Sequence, residues 1–401
     1  MQAIVVTFDR LATRLVGCYG NEWIETPNLD RLATTSTVFD NHIADSVGPR
    51  SGWAWLTGRH AMHPTATVPP KPLGQILRAS GVTSQLVTTD GSRSIPWDTA
   101  GFDRVRRVDG LNGLDVEPGE VPIAKLVQAG KEILGDGSPT TENRLIWLHA
   151  PEPGLPPEGF ATLYFEDFEE RGFPVAEIPQ EDWSRQIAVA AGSMSLVDHW
   201  LGDLVAQVAV HGQTAPTLVL IAAARGRSWM EEYLDSTPSI RKDSPVDRLR
   251  SHETGSPLLL SVSGDDRYSE LVGLRCPRFV QPTDLLPTLL DWFGIPSTPG
   301  QYEGRSLLRE AVSDQPARSA VVCGDDDRTY GLRTSEWNCL IQLSSADQDV
   351  PTQVQMGDAD WPPQVQLYSK PEDIWDVTDL ATQQPEVCEE LVRQMSAFRQ
   401  G

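Results

Sequence analysis

Short runs of β-branched and aliphatic residues alternate along most of the chain with segments whose apolar residues recur every three or four positions. This is the sequence form of an α/β sandwich built around a large, mainly parallel sheet. AIVVTF (residues 3–8) reads as the first strand. TPNLDRLATTS (26–36) follows as a helix, with Thr26 as its cap and Pro27 at the first helical position, where a missing N–H costs nothing. PLGQILRASG (72–81) predicts a short helix ending at Gly81, and TSQLVTT (83–89) and RLIWLHA (144–150) predict further strands. From Ile187 to Val208 the residues Ile187, Ala190, Ala191, Met194, Val197, Leu201, Leu204, Val205 and Val208 mark a long amphipathic helix. TLVLIAAA (217–224) comes next, apolar on both faces as a central parallel strand requires. PTDLLPTLLDWFGIP (282–296) predicts a helix stopped by Gly294 and Pro296.

Beyond about residue 318 the texture changes. SAVVCG, YGLRTSEWNCLIQL and PQVQLYSK read as antiparallel strands, and PEVCEELVRQMSAF as a closing helix. The expected organisation is a domain over 1–317 and a small C-terminal α+β subdomain over 318–401, consistent with a 401-residue chain. The Pro-rich, acidic stretch from HAPEPG (149–154) to IPQEDW (178–183) reads as a long surface loop, because a strand precedes it and a helix follows it.

The formal net charge of -23 argues against a nucleic-acid or anionic-membrane partner, since a polyanion would be repelled. Five scattered cysteines lack any metal-site spacing and read as reduced thiols. MQAIVVTFDR enters a strand at once, with no secretory-signal pattern, and no apolar run approaches bilayer length, so a cytoplasmic protein is expected.

The order of segments resembles the sulfatase family of the alkaline-phosphatase-like superfamily. VTFDRLATRLVGCYGNEWIETPNLDRLATTSTVFDN (6–41) is similar to the family's N-terminal signature, and LTGRH (56–60), which contains Arg59, to the end of its active-site motif. DLLPTLLDWFGIP, YEGRSLL, GLRTSEWNCLI and LYSKPEDIWDVTDLA follow in the family's order. The resemblance implies the fold, but fold does not carry activity.

What the family's chemistry needs is a C-x-P-S-R cysteine oxidised to formylglycine, with a divalent cation, usually calcium, holding nucleophile and sulfate. Counting back from Thr57, Gly58 and Arg59 places Gly48 at the cysteine position; sliding the register to use Pro49 places Val47 there. Neither is a nucleophile. Ser46 and Ser51 are out of register and read as loop and helix-cap hydroxyls, Ser51 being the least poor substitute. The paired acids expected after the first strand are Asp9 and Arg10, and the Asp-His/Asn-Gly expected after TLVLIA is Ala224, Arg225 and Gly226. Asp9 is then the single ligand-type residue left, against the about six to eight oxygens calcium takes, so no metal or cofactor is expected. Thr89 and Gly91 stand where the family places a Lys and a His, and Glu152 where it places the histidine of P-H-x-P. Arg248 or Arg250 stands near the second lysine.

Arg10 and Arg225 fall where the cation and its ligands would lie, and a guanidinium can replace a cation, so Asp9 is expected to pair with Arg225 or Arg10. Two readings of that pair stand side by side. It plugs a vacant site, or Arg225 with Arg50 and Arg248 binds an oxyanion or sulfated small molecule without cleaving it. Three classes of function remain open: a noncatalytic family member with a structural, regulatory or anion-binding role; an active sulfuric or phosphoric ester hydrolase with an unusual nucleophile; and a partner subunit in a homo- or hetero-oligomer. Trp53, Trp55 and Trp229 lie on segments near the ancestral pocket, as interface residues or as rings filling a vacated cleft. The first class is the expectation.

Overall fold

The computed structural model describes residues 1–63, 71–89, 97–135, 142–164, 183–212, 215–227, 245–298, 300–325, 328–342 and 364–400. Gly91, Trp229 and most of the predicted surface loop, 165–182, lie outside the described residues.

Eight strands form one sheet in the order β4-β3-β5-β1-β6-β7-β2-β8. They are β1 (Gln2–Arg10), β2 (Thr37–His42), β3 (Thr83–Thr89), β4 (Arg104–Val108), β5 (Arg144–Ala150), β6 (Thr217–Arg225), β7 (Leu258–Ser263) and β8 (Arg275–Val280). The strands β4, β3, β5, β1 and β6 run parallel, and so do β2 and β8. β7 is antiparallel to both β6 and β2, so the sheet is mixed at that point. β1 lies at its centre because its side chains are apolar toward both faces, which only a strand covered on both sides can satisfy.

Alternation along β1 divides the core. Ala3 and Val5 face one layer, where Trp55, Leu73, Leu77, Leu285, Leu286 and Leu289 pack. Ile4, Val6 and Phe8 face the other, against Leu29, Ile123, Val127, Met194, Val197 and Leu201. The predicted long helix runs Trp183–Gly212 and lays its apolar stripe on this second layer. Pro27–Ala33 forms the predicted short helix, but its start is capped differently from the sequence expectation. The Thr26 hydroxyl accepts from Gly17 N (2.8 Å), whereas Asn28 N and Leu29 N donate to Asp198 Oδ1 on the long helix, at 3.1 and 2.7 Å. A carboxylate brought in by tertiary packing, favoured at a helix N-terminus, has taken the local residue's place.

A second sheet, antiparallel in the order β12-β11-β10-β9, comprises β9 (Ala320–Gly324), β10 (Thr329–Thr334), β11 (Trp337–Gln342) and β12 (Gln364–Ser369). The C-terminal helix, Pro385–Gln400, covers it with Cys388, Leu391, Val392 and Met395. The small sheet meets the large one through the segment after β2: Ser46 bridges Gly324, and Val47 N donates to Gly324 O at 2.9 Å. Among the described residues no helix is long and apolar enough to cross a membrane.

Candidate functional site

The C-terminal ends of the parallel strands form one rim. Arg10 lies in direct register with Arg225, Arg10 N donates to Pro151 O (3.1 Å), and Leu11 N donates to Arg225 O (3.2 Å). The rim therefore brings Asp9, Arg10, Pro151, Glu152, Ala224 and Arg225 together, as their positions at strand ends imply. Thr89 ends β3, buried, two strands away from β1.

The pairing at the rim differs from the expected Asp9 bridge to Arg225 or Arg10. Among the described residues, Asp9 Oδ1 lies 3.4 Å from His149 Nε2, and Arg225 Nη1 lies 3.1 Å from Glu253 Oε2. The reason is geometric. Glu253 sits on the one-turn helix Ser251–Thr254, whose backbone closes on the end of β6, with Gly226 N donating to Glu253 O at 2.8 Å. Its carboxylate is only 2% exposed, and it requires a cation more than the 16%-exposed Asp9 does. Glu152 pairs with Arg227 (3.0 Å), and Arg248, 59% exposed, pairs with Asp325 (3.1 Å). Arg250 pairs with Asp247 (2.9 Å).

His149 and Glu253 are rim residues that sequence reasoning missed. His149 is hidden in the strand RLIWLHA, where the one available signal was a polar side chain in an otherwise apolar run. It is completely buried, with Nδ1 3.0 Å from Thr7 Oγ1, which in turn accepts from Trp147 Nε1 at 2.7 Å. With Thr7 Oγ1 already accepting from Trp147, its hydroxyl is free to donate to Nδ1. Nε2 is itself buried without a hydrogen bond among the described residues, so its 3.4 Å approach to Asp9 is a contact only.

The segment 41–60 carries the remaining site residues. Its only α-helical turn is Ala54–Thr57, with Trp53 at its cap position, so Ser51 is not the cap it was read as. Ser51 Oγ is buried with no hydrogen-bond partner among the described residues. Arg50 Nη1 donates to Ala61 O (3.0 Å), and the buried Arg59 Nε finds no acceptor there. Trp55 is fully buried, its ring 6.2 Å from that of Trp147 and 6.3 Å from His149, which makes it core; Trp53 is 39% exposed. Asp45, also missed, is fully buried and accepts from Ala61 N at 2.9 Å. Burial pushes its carboxyl up to about 7.

At Gly48 the backbone of the small sheet arrives. A Cβ placed there would lie 2.1 Å from the carbonyl oxygen of Asp325, at the end of β9. A Cβ at Gly226 would lie 2.2 Å from His252 O and 2.4 Å from Gly255 O. Position 48 therefore has room for no side chain, and the turn after β6 is closed over by the Ser251–Thr254 segment. Among the described residues no three His, Cys, Asp or Glu side chains gather as a metal site would need, and the rim's Glu152 and Glu253 each face an arginine. A shallow groove of about 430 Å³ lies elsewhere, lined by Cys18, Asp30, Thr34 and Arg275.

Several known proteins share this architecture. A structure from Bacteroides thetaiotaomicron described under metabolism of multiple glycosaminoglycans superposes with a TM-score of 0.72 at 14% identity, covering 99% of this chain and 96% of that one. The phosphonate monoester hydrolase of Agrobacterium radiobacter gives 0.69 at 14% identity, covering 99% and 95%. At that identity the likeness is one of fold. Human steryl-sulfatase is 30% identical over 110 residues, 27% of this chain and 17% of that protein. Human arylsulfatase D is 39% identical over 59 residues, 14% of this chain and 10% of that one. The matched stretches thus span less than a fifth of either human protein. The sulfatase family model matches residues 2–295, which take in both the large sheet and its rim, and the chain accordingly belongs to the sulfatase family.

Proposed function

We propose that this member of the sulfatase family does not hydrolyse sulfate or phosphate esters and that it serves a structural, regulatory or anion-binding role. The observation that carries the reading is the contact at Gly48. Of the two positions that could hold the nucleophile, Val47 carries no reactive group and Gly48 no side chain, and the Asp325 carbonyl fills the space a side chain at 48 would need. The paired charges at the rim support it from a second direction. Arg225, Arg227 and Arg248 each face a carboxylate of this chain, where a hydrolase would point such groups at its substrate. Hydrolysis of 4-nitrophenyl sulfate and 4-nitrophenyl phosphate by the purified protein tests this directly. Turnover is expected to stay at the level of buffer; robust turnover abolished by Ser51→Ala would overturn the reading.

One specific form of that role is binding of an oxyanion or sulfated small molecule without turnover, in which the anion takes the place of Glu253 on Arg225, beside Arg10 in register with it. Calorimetric titration with inorganic sulfate should then give saturable binding that Arg225→Ala abolishes. Binding that is absent, or unchanged in that variant, leaves the arginines as part of the closed rim only.

A further inference from the structure

His63 stands between the large sheet's side of the molecule and the end of the C-terminal helix. Its Nδ1 is 2.8 Å from Glu303 Oε2 and its Nε2 is 3.2 Å from the carbonyl oxygen of Phe398. Both partners are acceptors, so both ring nitrogens must carry protons for both bonds to form, and only the imidazolium does this. Phe398 lies in the last turn of Pro385–Gln400, where backbone carbonyls have no donor within the helix and where the helix dipole favours a cation. The Phe398 ring stacks on the His63 ring, centroids 4.2 Å apart and planes at 25°.

The neighbouring His60 has the opposite arrangement. Its Nε2 faces the carbonyl of Val322 (2.9 Å) and must donate, whereas its Nδ1 accepts from Met62 N (3.2 Å), which fixes it as a neutral ring. Burial accordingly drives its pKa down to about 4. The two rings lie 5.4 Å apart. A neutral His60 spares His63 the repulsion of a second cation.

We propose that His63 is a pH-dependent latch: as the imidazolium it ties the end of the C-terminal helix to Glu303, and on losing its proton it releases that end. Among the described residues the groups facing it are Glu303 from the connection after Leu285–Trp292, Arg59 from its own segment, which opposes its charge, and the neutral ring of His60. The hydrogen bond to Glu303 is the largest influence on His63 and raises its pKa above the ordinary 6.5, while burial works against it. Burial would raise Glu303, but its bonds from His63 and from His60 N (2.7 Å) outweigh this and hold the carboxyl below the usual range. A raised histidine contributes stability that is complete below its unfolded pKa and is lost as pH rises through the folded value. A depressed carboxylate contributes stability present above its unfolded pKa and lost as pH falls through the folded one. The latch is closed between those limits and opens on the alkaline side. It does not depend on whether the strand-end rim turns over a substrate.

Hydrogen exchange of the intact protein, followed by mass spectrometry at a series of pH values from about 6 to about 9 and corrected for intrinsic exchange, reads the latch directly. Protection of peptides covering 385–400 should fall several-fold as pH rises, while peptides of the buried helix Pro122–Leu134 keep theirs. His63→Gln should show the low protection at every pH, and Glu303→Gln should shift the transition to lower pH. NMR titration of the His63 ring in the unmodified protein provides a measurement that no variant's folding can disturb, and it should give a midpoint above 6.5. A midpoint at or below that value, or the same pH response in His63→Gln, would overturn the proposal.

Discussion

From Ala3 to Phe8 in β1 and from Leu218 to Ala224 in β6 every side chain is buried, yet within two residues both strands carry arginines, Arg10 and Arg225, side by side. The two regions are held by different physics. In the strand interiors each large apolar side chain contributes about 1.5 to 3 kcal/mol through removal from water, and the contribution is indifferent to chemistry so long as volume and pattern persist. At the rim Arg248 is 59% exposed, so its pair with Asp325 is screened by solvent on that side and contributes about 0 to 1 kcal/mol. A sheet built this way keeps its fold whatever stands at its strand ends. Here the rim has closed: charges pair within the chain, and backbone from Asp325 and from the Ser251–Thr254 helix occupies the space over Gly48 and Gly226.

Substitutions can sharpen or break that contrast. The largest effect belongs to the interior. Trp147 is fully buried between Trp55 and Trp97 and donates to Thr7, so Trp147→Ala should destabilise by about 3 to 5 kcal/mol in urea unfolding. A loss under 1 kcal/mol would show that the sheet is not held as described.

Next comes the point where the rim meets the small sheet. Gly48→Cys should destabilise by about 1 to 3 kcal/mol, because its Cβ must displace the Asp325 carbonyl. A neutral effect on the urea midpoint would mean that the backbone yields easily and that the site is not blocked by sterics.

The smallest effect is expected where the charges are most exposed. Arg248→Ala should change stability by less than about 1 kcal/mol, and less still at high salt. A cost comparable to that at Trp147 would erase the distinction between interior and rim.

Much of this molecule is legible in its sequence because burial has a period. The both-face apolar runs of β1, β5 and β6, the three-to-four spacing of Trp183–Gly212 and the Gly294 stop all announce their elements. The edge strand β4, RVRRV, carries no such signal because four of its five residues are exposed. The residue types at the strand ends, Asp9, Arg10, Ala224 and Arg225, were equally readable, because each directly follows or ends a conspicuous apolar run.

What the sequence determined by itself is therefore the layered fold, the positions of its strand ends, and the residue types standing there. Only the tertiary structure decided which of those residues meet: Glu253 rather than Asp9 for Arg225, His149 beside Asp9, Asp198 rather than Thr26 at a helix start, and the Asp325 carbonyl against Gly48. The physical reason is range. Periodicity and capping are local properties of a few consecutive residues, whereas ion pairs and steric exclusion join groups that are distant in the chain, and their geometry exists only once the layers have packed.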